Sequence, residues 1–249
     1  LMLSEIALGR KTQKAAIEAY KEADHRFKFN GILQTIVPWF LICFYCTFGG
    51  YISKYLFQSI TALFSKNAVL NTGDPGALFG GMVGNVGNSV AWMAGFLILT
   101  MIIVFGGVSG GIEKFCKIAM PALFVLLVIV VIRSCTLPGA TPGLKFLFYP
   151  DLSMWKKSFF NVVSLAGGQM FFSLSLASGC IIAYGSYLGK KENLESNAAI
   201  ITLGDSLVAI LAGMAIMPAV FAFGLEPGGG PGLLFVSMTT VFQSMGAAG

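Results

Sequence analysis

The side chains in this sequence that could do chemistry are few, and the clearest is a carboxylate inside an apolar run. Asp205 lies in the segment 201–208, about ten residues beyond the nearest basic loop, which is about 15 Å along a helix. If that segment crosses a bilayer, the charge costs at least about 2.5 kcal/mol and by default marks a cation or proton site. The structural alternative is a carboxylate that is hydrogen-bonded to Ser206 or to a neighbouring helix.

Two other polar side chains have apolar neighbours. Tyr45 stands in the middle of the run 41–50, where its hydroxyl needs a hydrogen-bond partner. A substrate carboxylate would serve, and so would a backbone carbonyl, which is the simpler interpretation from the residues alone. Glu5 is a weaker candidate for a functional role, because we expect it near a helix end, where it could reach water.

The apolar segment that contains residues 167–184 is weak at its centre. From Ser173 to Gly179 it alternates hydroxyls, small residues and glycine, and serine and glycine are indifferent or poor helix formers. A break in a spanning helix leaves backbone groups unpaired, which is tolerated only where they face protein or a polar cavity. Such breaks supply ion and substrate ligands in transporters. The alternative is an unbroken helix whose small residues pack closely on a neighbour.

No arrangement typical of an enzyme stands out. The single histidine, His25, lies in a basic linker, so there is no Ser/His/Asp set. The glycine pairs at 80–81, 106–107 and 110–111 lack the lysine and hydroxyl of a phosphate loop, and we predict turns there. The five cysteines show no metal-site spacing and are best interpreted as small apolar side chains of a helical bundle: Cys43, Cys46, Cys116, Cys135 and Cys180.

The composition predicts an all-α polytopic membrane protein. Hydrophobic residues make up 56% of the chain and charged residues 11%, against about 25% charged in soluble domains, and the mean hydropathy is +0.80. About 20 apolar residues suffice to span a bilayer. We therefore predict a single transmembrane domain over 1–249, with spans at about 1–9 (partial), 31–56, 88–107, 112–136, 159–187 and 197–224, and an outer-loop helix at about 233–245.

The distribution of charge predicts the orientation. Six basic residues follow the first partial span, and the positive-inside tendency places their linker in the cytoplasm of a multi-pass protein of the cell (inner or plasma) membrane. The lysines of the loop 137–158 argue mildly against the alternating topology. The net charge of +5 does not indicate a nucleic-acid partner, since the basic residues are spread over short loops. We expect the chain to be a fragment, because it starts and stops without terminal structure.

Several segments together resemble the neurotransmitter:sodium symporter family in its bacterial branch. They are residues 4–10 (Ser-Glu-Ile-Ala-Leu-Gly-Arg), 111–121, 168–175 (Gly-Gln-Met-Phe-Phe-Ser-Leu-Ser), 184–187 and 231–238. The resemblance runs through essentially the whole chain in order. It implies a fragment of an inverted-repeat transporter fold, with a discontinuous helix at about 162–188, that lacks the first helix and the eighth helix onward.

The resemblance also implies roles for individual residues. Ser173 and Asp205 would hold a sodium ion, although Asp205 stands where the family usually has asparagine. Gln169, Phe172 and Tyr45 would form the outer gate. Ser178 departs from relatives that carry a bulky aromatic residue, which would enlarge the floor of the pocket. The substrate would contact Leu41, Tyr45, Phe172, Ser173, Ser175, Leu176, Ala177 and Ser178, with the hydroxyl of Tyr45 on its carboxylate.

The implied function is a sodium-coupled symporter that imports a neutral amino acid, with an apolar or aromatic side chain, by alternating access. The co-transported ion is Na⁺, and chloride is not expected, because the carboxylate of Asp205 would supply the negative charge beside the sodium ion. Three alternatives stay open: a proton-coupled carrier, an exchanger of the same broad fold, and a helical membrane scaffold without transport. The expected partners are a small amino acid and the lipid bilayer. The sequence leaves the oligomeric state open.

Overall fold

The computed structural model describes residues 1–64, 73–149, 152–189, 191–225, 227 and 230–245. Within these residues the chain is helical and contains no β-strand. The helices are α1 (Met2–Thr12), α2 (Ala16–Ala23), α3 (Lys28–Phe64), α4 (Pro75–Gly84), α5 (Val86–Phe105), α6 (Glu113–Cys135), α7 (Thr141–Phe148), α8 (Ser153–Ser173), α9 (Cys180–Ser186), α10 (Leu194–Ala222) and α11 (Gly230–Met245).

Four of the described helical stretches are long and apolar enough to cross a membrane. They are His25–Ala62, Val86–Phe105, Gly110–Cys135 and Leu194–Ala222, with mean hydropathies between 1.6 and 2.8. Few of their residues are buried within the chain, and large apolar side chains such as Phe40 and Phe105 are three-quarters or more exposed. Helices that are apolar all round need lipid or further protein around them. The all-helical membrane fold predicted from composition is therefore confirmed.

The segment predicted as a span over 159–187 is not one helix. α8 ends at Ser173, the chain leaves helical geometry through Leu174–Gly179, and α9 begins at Cys180. This confirms the discontinuous helix expected at about 162–188. α8 is itself irregular, because Ser158 has φ −158° and ψ 66°.

The three glycine pairs behave differently from one another. Gly106 and Gly107 form the expected turn after α5, where Gly107 has φ 74°, in the left-handed region that favours glycine. Gly110 and Gly111 lie in a short π-helix, Val108–Ile112, that leads into α6, so the turn predicted there is wrong. The turn predicted at 80–81 is also wrong, since both glycines lie inside α4. Pro75 and the Asp74 cap, whose side chain accepts a hydrogen bond from Ala77 N–H, start a helix that continues through them.

The chain divides into two compact units. The first comprises Leu1–Phe44 and Asp151–Leu207, and the second comprises Tyr45–Pro150 and Val208–Gly249. In the first unit α1 packs on α9 through small residues. A Cβ atom at Gly9 would overlap the carbonyl oxygen of Ile182, and one at Gly185 would approach the Ile6 carbonyl oxygen to 2.7 Å. Glycine is required at both contacts because the two backbones touch.

Aromatic stacking organises the second unit. Phe235 of α11 is buried, and its ring stacks on Tyr55 of α3 and on Phe79 of α4, with 5.2 Å between centroids in each pair. Tyr51 meets both phenylalanines edge-on. Offset and edge-on aromatic pairs each add about 0.5–1.5 kcal/mol beyond their buried area. α11 is thereby fixed against α3 and α4.

Candidate functional site

The break between α8 and α9 is a tight turn with left-handed residues. Ser175, Ala177 and Gly179 have φ values of 52°, 55° and 71°. The left-handed conformation costs a residue with a Cβ atom roughly 1–2 kcal/mol, so two non-glycine residues in it need compensating contacts. One is local: Leu176 N–H donates to the Phe171 carbonyl oxygen at 3.0 Å.

Ser178 is an internal brace of the turn. Its side chain is almost fully buried, its hydroxyl donates to the Ser175 carbonyl oxygen at 2.5 Å, and Cys180 N–H donates to the same hydroxyl at 3.4 Å. Leu176 is also buried, against Met2, Ile6 and Leu194. The structure thus places these two predicted pocket residues within the packing of the turn.

Glu5 holds the turn from outside. The residue is only 5% exposed, and its Oε1 accepts a hydrogen bond from Ala177 N–H at 2.9 Å. Its Oε2 is buried and has no hydrogen-bond partner among the described residues. The expectation that Glu5 reaches water is therefore wrong. The sequence did carry a signal, because Glu5 shares the buried face of α1 with Met2, Ile6 and Gly9 at helical spacing.

Ser173 and Asp205 meet across the first unit. The Ser173 hydroxyl lies 2.8 Å from both carboxylate oxygens of Asp205. Ser173 is the last residue of α8, and Asp205 lies about 16 Å along α10 from its start at Leu194, near half the thickness of a bilayer core. No lysine, arginine or histidine forms a salt bridge with Asp205 in the described part of the chain.

The surroundings of this pair are rich in oxygen. In the described residues the carbonyl oxygens of Leu174, Leu176 and Ala177 receive no hydrogen bond, and the negative end of the α8 dipole lies at Ser173. No group of three or more His, Cys, Asp or Glu side chains could hold a metal ion there or elsewhere in the described chain. Hydroxyl, carbonyl and single-carboxylate oxygens suit a hard cation better than a transition metal.

The predicted gate and pocket residues are divided between the two compact units. Phe172 is 44% exposed, and its ring meets Phe44 edge-on at 6.4 Å between centroids. Gln169 lies one turn before Phe172 on α8 and is exposed. Leu41 is half-buried in the first unit, whereas Tyr45 is 50% exposed and belongs to the second unit.

An open cavity of about 250 Å³ also reaches the break. Its lining residues are Asn30, Leu33, Gln34, Val37 and Ala177. Apart from Ala177 it contains none of the predicted substrate residues. We therefore base the candidate site on the hydrogen bonds at the break and not on this cavity.

A broken membrane helix with left-handed backbone and unpaired carbonyl oxygens at the break is typical of secondary transporters. Comparison of the sequence with known protein families identifies the family. The sequence model of the sodium:neurotransmitter symporter family matches residues 76–248. The chain belongs to this family, as the sequence motifs indicated, and its relatives are transporters and not enzymes.

Individual proteins of similar sequence or structure support this family assignment. The uncharacterized sodium-dependent transporter YhdH of Bacillus subtilis is 36% identical over 98% of this chain and 53% of its own length. The sodium-dependent neutral amino acid transporter B(0)AT3 of Mus musculus is 43% identical over 43% of this chain and 17% of its own length. The crystal structure of MhsT in complex with L-phenylalanine matches with a TM-score of 0.88 and 40% identity, over 98% of this chain and 54% of MhsT. The chain spans about half the length of YhdH and MhsT.

Proposed function

We propose that the full-length protein is a sodium-coupled symporter that imports a neutral amino acid across the cell membrane by alternating access. The observation that carries the proposal is the contact between the Ser173 hydroxyl and the Asp205 carboxylate at the break in the α8–α9 helix. An intramembrane carboxylate without a cationic side-chain partner among the described residues is a site for a mobile cation.

A sodium ion would take the position that the Ser173 hydroxyl hydrogen occupies between the two side chains, and the serine would stay protonated. The Ser173 hydroxyl oxygen and an Asp205 oxygen would turn to the ion, and the hydroxyl hydrogen would rotate away. Because opposite charges attract strongly where water is scarce, the carboxylate offsets the cost of removing sodium from water. The sodium ion and the Asp205 carboxylate together are electrically neutral, so no second anion is needed. On this basis we propose chloride-independent transport.

The substrate site would use the break and the middle of α3. The uncapped carbonyl oxygens of Leu174, Leu176 and Ala177 could accept hydrogen bonds from a substrate ammonium group, and the Tyr45 hydroxyl could donate to its carboxylate. Phe172 would cover the substrate, with Gln169 and Tyr45 at the outer gate. Leu41, Ser175, Leu176, Ala177 and Ser178 would line or shape the pocket.

Apolar neutral amino acids fit this set best. The pocket candidates Leu41, Phe172, Leu176 and Ala177 are apolar, and none of the proposed pocket residues could pair with a charged substrate side chain. The MhsT structure is a complex with L-phenylalanine and the mouse relative is named for neutral amino acids, which supports the same class. Ser178 in place of a bulky aromatic residue favours large aliphatic or aromatic side chains.

Uptake by the reconstituted full-length protein tests the proposal. Sodium-driven uptake of labelled leucine, phenylalanine or tryptophan is expected, with an unchanged rate when gluconate replaces chloride. Ser173→Ala should raise the sodium concentration needed for half-maximal uptake. Ser206→Ala is the matched control, because that hydroxyl donates to the Thr202 carbonyl oxygen within α10. Uptake driven by a proton gradient alone would favour the proton-coupled alternative, and no uptake under any gradient would favour the scaffold.

A further inference from the structure

The junction between α2 and α3 carries a compact group of basic and aromatic residues that the transport site does not use. The linker from Arg10 to Lys28 contains six basic residues. Some of their side chains form a salt bridge or a hydrogen bond in the structure, and others do not. Lys14 pairs with Glu22 at 2.8 Å, which raises the pKa of Lys14, and Lys21 lies 3.9 Å from Glu18. The Arg10 guanidinium donates to the Glu192 carbonyl oxygen at 2.7 Å.

Among the described residues, Lys11 of α1 is exposed and forms no salt bridge, but it lies away from the junction in sequence. Arg26 and Lys28, at the junction itself, also lack a partner of this kind. In the described residues neither side chain forms a salt bridge or a side-chain hydrogen bond, and both residues are exposed. Their neighbours Phe27 and Phe29 are exposed by 52% and 64%. Two unpaired cations interleaved with two exposed rings form a surface that is costly in water and suits the boundary between lipid headgroups and acyl chains.

Lys28 begins a row of exposed side chains along α3. The row continues at helical spacing through Ile32, Ile36 and Phe40, all of which are exposed. Phe40 lies about 18 Å along the helix from Lys28, which is more than half of the ~30 Å hydrocarbon core. If this row faces acyl chains, the ammonium group of Lys28 lies at the level of the headgroups.

The junction is held in place by its own packing. A Cβ atom at Gly31 would lie 2.7 Å from Ile17 Cα, so α2 rests directly on the first turn of α3. Asp24 Oδ1 accepts the Arg26 backbone N–H at 2.9 Å, and the Gln34 side-chain amide donates to the Tyr20 hydroxyl at 3.0 Å. The basic and aromatic residues are thus presented from a fixed backbone.

We propose that Arg26 and Lys28, with the rings of Phe27 and Phe29, form a binding surface for an anionic phospholipid of the inner leaflet. The two cations contact the headgroup phosphate, and the two rings lie among the upper acyl carbons. Charge complementarity selects an anionic lipid over a zwitterionic one. After the Lys14–Glu22 and Lys21–Glu18 pairs are counted, Arg26 and Lys28 still outnumber the one remaining carboxylate of residues 14–28, Asp24.

Lipid binding by the full-length protein tests this surface without reference to transport. Retention of phosphatidylglycerol and of phosphatidylcholine would be measured by native mass spectrometry, and melting temperature in nanodiscs with and without phosphatidylglycerol. Each basic residue near an anionic surface contributes about five-fold in affinity. Lys28→Ala and Arg26→Ala should each lower phosphatidylglycerol retention by about that factor and reduce its stabilising effect, whereas Lys28→Arg should preserve both.

The control is Lys54→Ala, which removes one positive charge from the other end of α3. Retention of phosphatidylglycerol by this variant should match the unmodified protein. An equal loss in Lys54→Ala would show that overall charge, and not this surface, attracts the lipid. Unchanged retention in the Arg26→Ala/Lys28→Ala double variant, or an equal loss of phosphatidylcholine, would overturn the proposal.

Discussion

Removing the Glu5 carboxylate should loosen the break between α8 and α9. In Glu5→Ala the Ala177 N–H loses its acceptor, which is an oxygen of a residue that is only 5% exposed. Leaving a buried donor unsatisfied costs about 1–3 kcal/mol. Ala177 is also held at φ 55°, so the turn has a ready alternative in which the residue relaxes to negative φ.

The magnitude follows from a two-state population. If substrate binds only the ordered break and that state becomes a minor one, apparent affinity falls with its population. A cost of about 1–3 kcal/mol corresponds to a factor of about 5–150 at tenfold per 1.4 kcal/mol. Glu5→Gln keeps one carbonyl acceptor but loses the charge, so its effect should be smaller than that of Glu5→Ala.

The assay is the concentration of labelled amino acid needed for half-maximal sodium-driven uptake by the full-length protein. Ser4→Ala is the matched control, because the adjacent Ser4 hydroxyl is exposed and donates to the Leu1 carbonyl oxygen within α1's first turn. An unchanged half-maximal concentration in Glu5→Ala, with normal expression, would refute the reasoning. A loss of similar size in Ser4→Ala would do the same, since it would point to a general weakening of α1.

Three further variants test other contacts. Ala177→Gly should raise the melting temperature or leave it unchanged, because glycine adopts φ 55° without the steric cost of a Cβ atom. A clear fall in melting temperature would contradict this and show that packing of the Ala177 methyl group stabilises the protein. Gly9→Ala should destabilise the protein by several kcal/mol or prevent folding, because its Cβ atom would overlap the Ile182 backbone. In the control Gly80→Ala the added Cβ atom meets nothing within 4 Å, so the melting temperature should not change. Asp205→Asn should weaken sodium dependence and make uptake respond to chloride; an unchanged response to both ions would contradict the proposed role of the carboxylate.

The sequence determined the membrane fold and the location of the break. The apolar runs could not be buried in a chain of this size, so hydropathy alone predicted spanning helices. The serines and glycine from Ser173 to Gly179 weaken the helix wherever they occur, because the cause lies in their own backbone preferences. Asp205 was likewise identified from the sequence, since a charge in an apolar run is costly whatever surrounds it.

Only the tertiary structure decided which polar groups meet. Ser173 and Asp205 are 32 positions apart in the chain, and Glu5 and Ala177 are 172 apart. The helical spacing of Glu5 with Met2, Ile6 and Gly9 indicates a shared face of α1, but the burial of that face depends on α9, which packs against α1 at Gly9 and Gly185. Gly80 and Gly81 were misjudged because the Asp74 cap and Pro75 start a helix that passes through them. Local propensity reports what the backbone prefers on its own, whereas hydrogen bonds between distant residues exist only after the helices have packed.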